Sequence, residues 1–471
     1  MKRIVLFVVA LIAIWGVDSA SAQSRTSYFM EGSYFRTDLN PALAPTRGYI
    51  ALPGMGGVGI DVPNNFLSVD NFLYKKDGQI VTAFNKSVSN SEFLGKLPEL
   101  GRIGVNANVN ILGAGFYASR TFWNFGLRLR STTDLNISKG LFTALKTLAN
   151  GTYDLKSTNL NSNSYLETYL GASFPVGDHV NIGIRGKFLV GLENMYTQFE
   201  SVEAGVGEDR LSATLRGKVM ANSIFIDQSK VVPGDKLSAN MLSYNDPMRL
   251  LKAAKSFGAA LDLGVEVKVC QDHLKISAAV TDLGFIKWHA STNYSAAADY
   301  NLSFEGYDID AQELKAEFDG TLVATEPSSQ GYLSMLNASL NVGVEYNFLR
   351  NHFAIGVMSH TEYYNKQFYT ELTASLNIRA TNWLSATVSH TFLANNRLGV
   401  LGAALNIHPC GINIFIGADF IDTRYVKYKN IPVPRYQNSL NLYVGVGFNL
   451  ARPKFMKQAE REMCLKRRST R

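Results

Sequence analysis

Cysteine is scarce in this chain, and the few cysteines form no recognisable motif. The 471 residues include three, Cys270, Cys410 and Cys464, with no C-x-x-C pair. An odd and widely spaced set argues against a disulfide framework and against a zinc site built on cysteine. A single bridge between Cys270 and Cys410, both in predicted turns, stays open.

Long apolar runs are also lacking once the first residues are passed. A positive start, Met1-Lys2-Arg3, leads into a nearly uninterrupted apolar run of 14 residues from Ile4 to Val17, and Ala20-Ser21-Ala22 follows as a small-x-small site. This pattern predicts a secretory signal peptide over residues 1–22. The run is shorter than the ~20 residues that a membrane-spanning helix needs. We therefore expect an exported protein with the signal peptide removed.

The body of the chain has little net charge of either sign. The formal charge of +7 resides in the leader and in the last 21 residues, where eight Lys or Arg stand against two Glu. A sequence pI of about 9.0 therefore indicates no nucleic-acid-binding body. The basic tail, residues 451–471, is expected on the periplasmic side. It is either a solvated tail or docks to an acidic lipid headgroup, a cell-wall component or an envelope protein.

Catalytic motifs are missing as well. The chain has no H-E-x-x-H and no G-x-S-x-G. In the repeated tripeptide "SHT", Ser359 and His360 are adjacent in a predicted strand, so their side chains point to opposite faces and cannot cooperate. We predict no enzyme activity, no cofactor and no metal site. His360 and its counterpart in the repeat, His390, are interpreted as histidines near the outer rim.

One stretch imitates a cofactor motif. Gly54, Gly56 and Gly59 in "GMGGVGID" spell G-x-G-x-x-G, the spacing of a dinucleotide-binding turn. Such a turn opens a helix, whereas here Pro63 and two asparagines follow. We interpret these glycines as backbone without side chains that permits tight turns and close packing.

What the chain does have is alternation of apolar and polar residues with a period of two from about residue 79 onward. In "NSLNLYVGVGFNL" the apolar residues from Leu440 to Leu450 share one face, and Asn, Ser, Tyr and Gly share the other. This pattern is typical of an outer-membrane barrel whose apolar face meets lipid and whose polar face lines the lumen. Aromatic residues at strand ends favour the same interpretation: Phe122, Trp123, Phe125, Trp288, Phe348, Phe353, Tyr363, Tyr364, Phe368, Tyr369 and Trp383.

Turn signals predict the strand count. Short turns are expected at residues 120–124, 175–179, 270–273, 349–352, 380–383 and 408–411, with mostly longer loops between them on the opposite side. Counting from Gln79, the fold class is all-β, a transmembrane antiparallel β-barrel of about 14 strands over residues 79–450. Residues 211–219 and 294–304 are assigned to hairpins within outer loops, and residues 139–151 and 246–258 to loop helices. Charges expected in the lumen, such as Arg128, Arg130, Glu266 and Lys268, either select solutes or pair with one another.

A family resemblance rests on the N-terminal region and on three strand segments. Asn40-Pro41-Ala42 looks like the N-P-A motif in the hatch of FadL-type outer-membrane transporters, and "NVNILGAGFYAS", "GIRGKFLVGLEN" and "TDLGFIKW" resemble an uncharacterised family of FadL-like proteins. The FadL resemblance implies a 14-stranded barrel plugged by its N-terminal segment, which moves hydrophobic compounds. We accordingly predict a hatch over residues 23–78. Its candidate motif comprises Asn40, Pro41, Ala42, Gly54, Gly56 and Gly59.

The function that follows is passive transport of a small hydrophobic molecule around the plug, in contact with outer-membrane lipid and with no nucleic acid involved. A non-transporting scaffold that binds secretion or cell-envelope proteins is the alternative. An open hydrophilic porin fits less well, because a hatch of this size would occupy the lumen.

Overall fold

The fold is taken from a computed structural model of the chain. The structure describes residues 25–147, 157–206, 211–227, 230–236, 241, 254–269, 273–290, 293–308, 313–324, 330–364, 367–381, 383–393, 396–409, 411–421, 425–428, 431–435, 440–453 and 455. Among these residues, no helix is both long enough and apolar enough to cross a membrane.

Helices are few and short, and strands dominate. A 3-10 helix at Arg25–Ser27 is followed by α1 (Arg36–Leu39), α2 (Val69–Phe72), α3 (Asn90–Leu94) and α4 (Lys139–Thr147). The strands are β1 (Tyr49–Ala51), β2 (Val58–Val62), β3 (Leu73–Lys76), β4 (Gln79–Thr82), β5 (Leu100–Ala118), β6 (Thr121–Ser138), β7 (Asn159–Val176), β8 (Val180–Val206), β9 (Leu211–Ser223), β10 (Ser256–Val269), β11 (Leu274–Trp288), β12 (Asn293–Asp308), β13 (Glu313–Ala324), β14 (Tyr332–Met335), β15 (Ser339–Phe348), β16 (Phe353–Tyr364), β17 (Gln367–Thr381), β18 (Leu384–Leu393), β19 (Asn396–Ile407), β20 (Ile412–Ile421), β21 (Tyr425–Tyr428), β22 (Ile431–Pro434) and β23 (Leu440–Asn449).

Fourteen antiparallel strands form a closed wall. Around the wall they follow the order β5, β6, β7, β8, β10, β11, β14 with β15, β16, β17, β18, β19, β20 and β23. β1 and β2 together close the ring, since each pairs with β5 on one side and β23 on the other. A closed ring of strands satisfies its backbone hydrogen bonds internally, as a structure in lipid must.

The outside of the wall is apolar and its inside is polar. In β15, Leu340 and Val344 are exposed on the outer face, whereas the alternating residues Asn341 and Glu345 are buried inside. β23 repeats the arrangement with exposed leucines and a buried Asn441. A water-soluble protein places these residue types the other way round. The predicted fold class, a transmembrane β-barrel, is therefore confirmed.

The strand that closes the wall comes from the N-terminal part of the chain. Residues 49–62, here called the first wall strand, lie between β23 and β5 along their length. Tyr49 is opposite both Asn449 and Gly115, and at the far end Val62 is opposite Leu440. The predicted hatch, residues 23–78, includes this stretch. The strand pairing places it in the barrel wall instead.

The residues expected to begin the barrel form a separate hairpin. Gln79 belongs to β4, which pairs with β3 in a two-stranded sheet of its own. Asp77 and Gly78 make the turn with φ of 49° and 83°, because an Asp-Gly pair accommodates the two positive φ angles of a tight hairpin. The number of wall strands is thus as predicted, but the first of them is residues 49–62 and not the segment that begins at Gln79.

The two ends of the barrel differ in their connections. β5 and β23 are both antiparallel to the first wall strand, so they run in the same direction, and thirteen strands lie between Leu100 and Asn449. Short turns at 119–120, 177–179 and 349–352 join strands at one end, here called the turn end. They confirm the turns predicted at 175–179 and 349–352, whereas the turn predicted at 120–124 comes earlier, since Thr121 already begins β6. The opposite end, which carries the longer segments, is the loop end.

The loop end carries a small apolar core formed by residues 63–99 together with α4. Phe66, Phe72, Phe93 and Phe142 contact one another through their rings. Phe142 lies in α4, which confirms the helix predicted within residues 139–151. The first wall strand therefore leads the chain from the turn end to this group of residues at the loop end.

A further sheet extends from the wall at the loop end. β8 continues beyond its pairing with β10 and pairs with β9, which pairs with β12, and β12 with β13. β9 and β12 include the two stretches assigned to hairpins in outer loops, and they lie outside the fourteen wall strands. Residues 246–253 of the second predicted helix lie outside the described residues, and Ser256 already begins β10.

Candidate functional site

The lumen contains the chain's own N-terminal residues. Residues 25–47, here called the inner segment, directly precede the first wall strand. Their contacts reach opposite sides of the ring: the Thr26 backbone donates to Asp419 in β20, and the Ala42 carbonyl accepts from Ser173 in β7. Several residues of the segment have no exposed surface at all: Ser27, Tyr28, Ser33, Leu39, Asn40 and Ala42.

Asn40 holds a tight local turn and also contacts the wall. Its Oδ1 accepts a hydrogen bond from the backbone N–H of Ala42 at 2.9 Å, which is the geometry of an Asx turn. The amide Nδ2 is then free to donate to the Tyr28 hydroxyl at 3.3 Å and to the carbonyls of Val265 and Ala278 at 3.4 Å. An asparagine can do both because its side chain combines an acceptor and two donor hydrogens.

Two wall glycines make room for Asn40-Pro41-Ala42. A Cβ at Gly183 would overlap the Pro41 carbonyl carbon and the Ala42 nitrogen, and a Cβ at Gly264 would overlap Asn40 Oδ1. The tripeptide therefore lies directly against β8 with its backbone and against β10 with the side chains of Asn40 and Pro41. The Ala42 carbonyl is also bonded by Asn181 Nδ2 and, at 3.1 Å, by Ser173 Oγ.

Asp38 provides an ionic attachment at the centre of the barrel. Its Oδ1 accepts from Arg128 Nη2 at 2.9 Å and from Arg185 Nη1 at 2.8 Å. Burial alone raises the pKa of Asp38, but the two guanidinium groups outweigh burial and hold the pKa below its ordinary value. Asp38 is therefore a carboxylate at neutral pH.

The wall charges around Asp38 are themselves paired. Arg128 and Arg130 both contact Glu167, at 3.2 and 3.1 Å, and Arg130 also contacts Asp282 at 2.7 Å. Lys187 lies 2.6 Å from the same Asp282 carboxylate. Arg128 and Arg130 were expected either to select solutes or to pair with other charges, and the structure shows them paired with other charges. Buried charges require such partners because water no longer solvates them.

A second ionic attachment lies near the turn end. Glu31 pairs with Lys275 in β11 and lies 3.7 Å from Arg379 in β17, and both cations also contact Glu345. Burial raises the pKa of Glu31, but Lys275 and Arg379 reverse the effect and leave the pKa well below its ordinary value. Two acidic residues thus fix the inner segment to different strands of the wall, β6 and β8 for Asp38 and β11 and β17 for Glu31.

The N-terminal end of the inner segment is bound to β17, β18 and β20. Arg25 Nε lies 2.8 Å from Glu371, and the Arg25 backbone N–H donates to Asp419 at 2.9 Å. The Thr26 hydroxyl lies 2.6 Å from Ser389 Oγ and also bonds Asp419. Polar contacts therefore hold the segment at this end as well.

The three glycines of the candidate motif lie in the first wall strand, whereas Asn40-Pro41-Ala42 lies in the inner segment. Gly54 has a φ of 69°, which a residue with a side chain adopts only under strain, and a Cβ at Gly56 would overlap Ala51. These two glycines form the loop between β1 and β2. Gly59 lies within β2 opposite Tyr443 and Asn108.

A polar cavity of about 80 Å³ lies between the inner segment and the loop end. Its lining includes both charged and amide side chains, and it reaches the wall where β14 gives way to β15. The lining residues are Arg25, Asp61, Asn106, Arg130, Thr132, Asn161, Asn163, Tyr165, Asn194, Asp282, Ser334, Met335, Leu336, Asn337, Ser339, His360, Glu362 and Tyr364. No local sequence pattern indicates this cavity, because its lining comes from many strands.

His360 lies inside the barrel, so the rim prediction for it was wrong. It is buried, and its Nδ1 lies 2.6 Å from Asn341 Oδ1. In the other copy of the repeat, it is Ser389 that faces inward, whereas His390 contacts the exposed Phe392. The pairing of β17 with β18 shifts register after Ile378, and a shift of one residue exchanges the two faces of a strand.

Some aromatic residues expected at the membrane interfaces also point inward. Phe122 and Trp288 have no exposed surface, and Tyr364 is buried over Arg102, whose guanidinium lies 3.9 Å from its ring centre. Trp123, Phe368 and Trp383 are exposed as expected. Cys270, Cys410, Cys464 and residues 456–471 of the basic tail lie outside the described residues.

Comparison with protein families yields one match. A sequence profile described as a family of unknown function, DUF5723, matches residues 41–419. The chain belongs to the DUF5723 family. A comparison with curated proteins finds no match. Family membership therefore assigns no activity to this DUF5723 chain.

Solved outer-membrane proteins resemble the chain in part. They include the toluene transporter TbuX of Ralstonia pickettii (8% identity, 93% of this chain and 100% of that chain, TM-score 0.45) and the toluene transporter TodX of Pseudomonas putida (12%, 92% and 95%, 0.37). A FadL homologue of Pseudomonas aeruginosa is similar as well (10%, 92% and 97%, 0.36). All three TM-scores are below 0.5, so the fold of the DUF5723 chain is assigned from its own strand pairing.

Proposed function

We propose that this protein is an outer-membrane barrel for passive transport of a small, hydrophobic molecule, with the inner segment as a movable plug. The observation that carries the proposal is the arrangement inside the wall. The inner segment crosses the lumen near the turn end, and the polar cavity lies on its loop-end side. A molecule that enters from the loop end would reach the cavity before it meets the plug.

The plug is held by both polar and apolar contacts. Asp38, Glu31 and Thr26 bind wall residues through ion pairs and hydrogen bonds, whereas Met30 packs with Phe415 and Phe29 packs with Met358. Polar contacts are exchangeable for contacts with water when the segment shifts, and the apolar contacts oppose hydration, so the first favour movement and the second favour the closed position. Transport by this route needs neither an energy source nor a cofactor.

The wall beside the cavity suits the exit of an apolar molecule. β14 ends at Met335 and β15 begins at Ser339, so three residues interrupt the strand there. Met335 lines the cavity and is 68% exposed, and Leu333, two residues earlier, is 64% exposed. An apolar molecule leaving here would pass from a polar cavity to an apolar outer face. Exit past the displaced plug is the other route.

Planar-bilayer recording and liposome assays test the proposal. The wild-type barrel should conduct ions poorly, and removal of residues 25–47 should produce large, steady channels. Proteoliposomes that contain the wild-type protein should take up a small radiolabelled aromatic compound faster than empty liposomes. Large wild-type conductance would contradict the plug, and uptake equal to that of empty liposomes would contradict transport.

The scaffold alternative makes a different prediction for the native membrane. The sheet formed by β8, β9, β12 and β13 extends from the wall at the loop end, and an extended sheet of this kind provides backbone for a protein partner. Purification under mild conditions would then yield a second protein in a fixed ratio. A barrel purified without such a partner, but active in uptake, would favour transport.

A further inference from the structure

Asp61 is a buried carboxylate in the wall of the polar cavity, and it lacks the ion pair that the other lining carboxylates possess. It is 8% exposed, and its one hydrogen bond comes from Asn106 Nδ2 at 2.9 Å. Asp282 lies 2.7 Å from Arg130, and Glu362 lies 2.9 Å from Arg102. Within the described residues, no Lys or Arg lies within ion-pair distance of Asp61. A buried charge without a partner is costly, so a cation beside Asp61 would stabilise its ionised form.

Unused acceptors accompany Asp61 in the same lining. Asn106 is 5% exposed, and its Oδ1 has no hydrogen-bond partner in the described part of the chain. Asn163 Oδ1 likewise has no hydrogen-bond partner among the described residues. The orientation of Asn106 is fixed chemically, because its NH₂ must face the Asp61 carboxylate and its oxygen must then face elsewhere. Both oxygens are fully buried behind the surface of the cavity, so they leave the surroundings of Asp61 rich in acceptors and poor in donors.

The charges of the lining favour a cation. Asp61, Asp282 and Glu362 supply three negative charges, and Arg25 and Arg130 supply two positive ones. Both arginines already contact carboxylates, Arg25 with Glu371 and Arg130 with Asp282. An anion would meet three carboxylates without a free guanidinium, whereas a cation would complete the pairing of Asp61.

We propose that the polar cavity binds the ammonium group of a small organic amine, with Asp61 as its counter-ion. The inference rests on the proposed function, because it states which polar group the transported molecule carries on its apolar body. An ammonium has three donors and no acceptor, which matches the Asp61 carboxylate. A charge-assisted hydrogen bond to Asp61 is stronger than the bond a neutral hydroxyl makes.

Binding by the wild-type protein gives the first test. Benzylamine, benzyl alcohol and benzoate share one ring and differ in the charge of the polar group. Titration calorimetry on the full chain in a non-ionic detergent at pH 7 should show tightest binding for benzylamine, by about tenfold over benzyl alcohol, and weakest for benzoate. Equal affinities, tighter binding of benzoate or no binding of benzylamine would overturn the inference.

Substitution of Asp61 gives the second test. Asp61→Asn removes the charge but keeps an oxygen that accepts from Asn106, so the fold should persist. Folding is checked by the slower migration of the heated sample in gel electrophoresis. The matched control is Asp178→Asn, which removes one carboxylate from an exposed turn. Asp61→Asn should weaken benzylamine by about tenfold and leave benzyl alcohol unchanged, whereas Asp178→Asn should change neither.

Two further outcomes separate this inference from the proposed function and from metal binding. If benzylamine binds through Asp61 but proteoliposomes do not take it up, the transport proposal fails and the amine site stands. If benzyl alcohol is taken up without any preference for benzylamine, transport stands and the amine site fails. Displacement of benzylamine by millimolar Ca²⁺ at constant ionic strength would assign Asp61 to an inorganic cation, which also overturns the inference.

Discussion

Gly183 and Gly264 lie opposite each other on the paired strands β8 and β10. At this pair the wall has no side chains toward the lumen, and Asn40-Pro41-Ala42 occupies the space. The likeness of Asn40-Pro41-Ala42 to a hatch motif thus acquires a structural counterpart. The motif contacts a bare patch of wall backbone, so its fit depends on two glycines more than 140 residues away in sequence.

Replacing Gly183 by leucine should displace the inner segment from the wall. A Cβ at this position already overlaps Pro41 and Ala42, and both clashing atoms are backbone. We expect ion conductance in planar bilayers to rise several-fold because the segment no longer fits the lumen. Gly186→Leu is the matched control, since nothing lies within 4 Å of a Cβ there. Equal conductance of the two variants would contradict this account.

Replacing Asp38 by alanine should loosen the inner segment from the centre of the barrel. The change removes both ion pairs and leaves Arg128 and Arg185 without their lumenal partner. Removal of one member of a buried pair costs about 3 kcal/mol, and this cost falls on the attached state of the segment. Hydrogen exchange of amides at residues 25–47 should accelerate, while that of β15 and β16 stays slow. Unchanged exchange in the segment would show that Asp38 is not an anchor.

The attachment of the inner segment should tolerate moderate acid. The pKa values of Asp38 and Glu31 lie below their ordinary values when the segment is attached. Groups with depressed pKa values stabilise the attached state above their ordinary pKa, and this contribution is lost as pH falls through the depressed value. Conductance should therefore stay low from pH 8 to 5 and rise only below about pH 4. Opening between pH 5 and 6 would contradict the assignment of these two anchors.

Two nested deletions should separate the plug from the wall. Deletion of residues 25–47 removes the inner segment but keeps the first wall strand, so a closed and conducting barrel should form. Deletion of residues 25–62 also removes the strand that pairs with both β5 and β23. Those two strands are parallel and would have no partner between them. We expect the longer deletion to abolish heat-modifiable migration, and a folded barrel from it would show that the wall closes without residues 49–62.

The strand count follows from the sequence because alternation with a period of two is a local signal. Leu440 to Leu450 show it without interruption, and the same residues form β23. The first wall strand was harder to identify, since the loop at residues 52–57 separates its two parts into runs of three and five residues. Short runs between glycines and a proline are typical of loops. Only pairing with strands distant in sequence shows that they belong to the wall.

The candidate site was predictable in one part only. Asn40-Pro41-Ala42 was singled out by a resemblance, and the structure places it against Gly183 and Gly264. The cavity around Asp61 depends on residues from many strands, and no local pattern brings Asp61 near Glu362 or Asn163. His360 and His390 show the same limit on a smaller scale. Their equivalent places in a repeat suggest equal orientation, but a register shift between the copies turns them to opposite faces.

The direct continuity of the inner segment with Tyr49 limits what movement can achieve. Gly48 is followed by Tyr49, which pairs with β23 on one side and with β5 on the other. The segment is therefore tethered covalently at the turn end, and it can move toward that end while it stays attached to the barrel. The first wall strand, which is synthesised early, must therefore pair with β5, which is synthesised soon afterwards, and with β23, which is synthesised late. A chain cut short before β23 would lack one of these two pairings, so the wall can close only after β23 has been made.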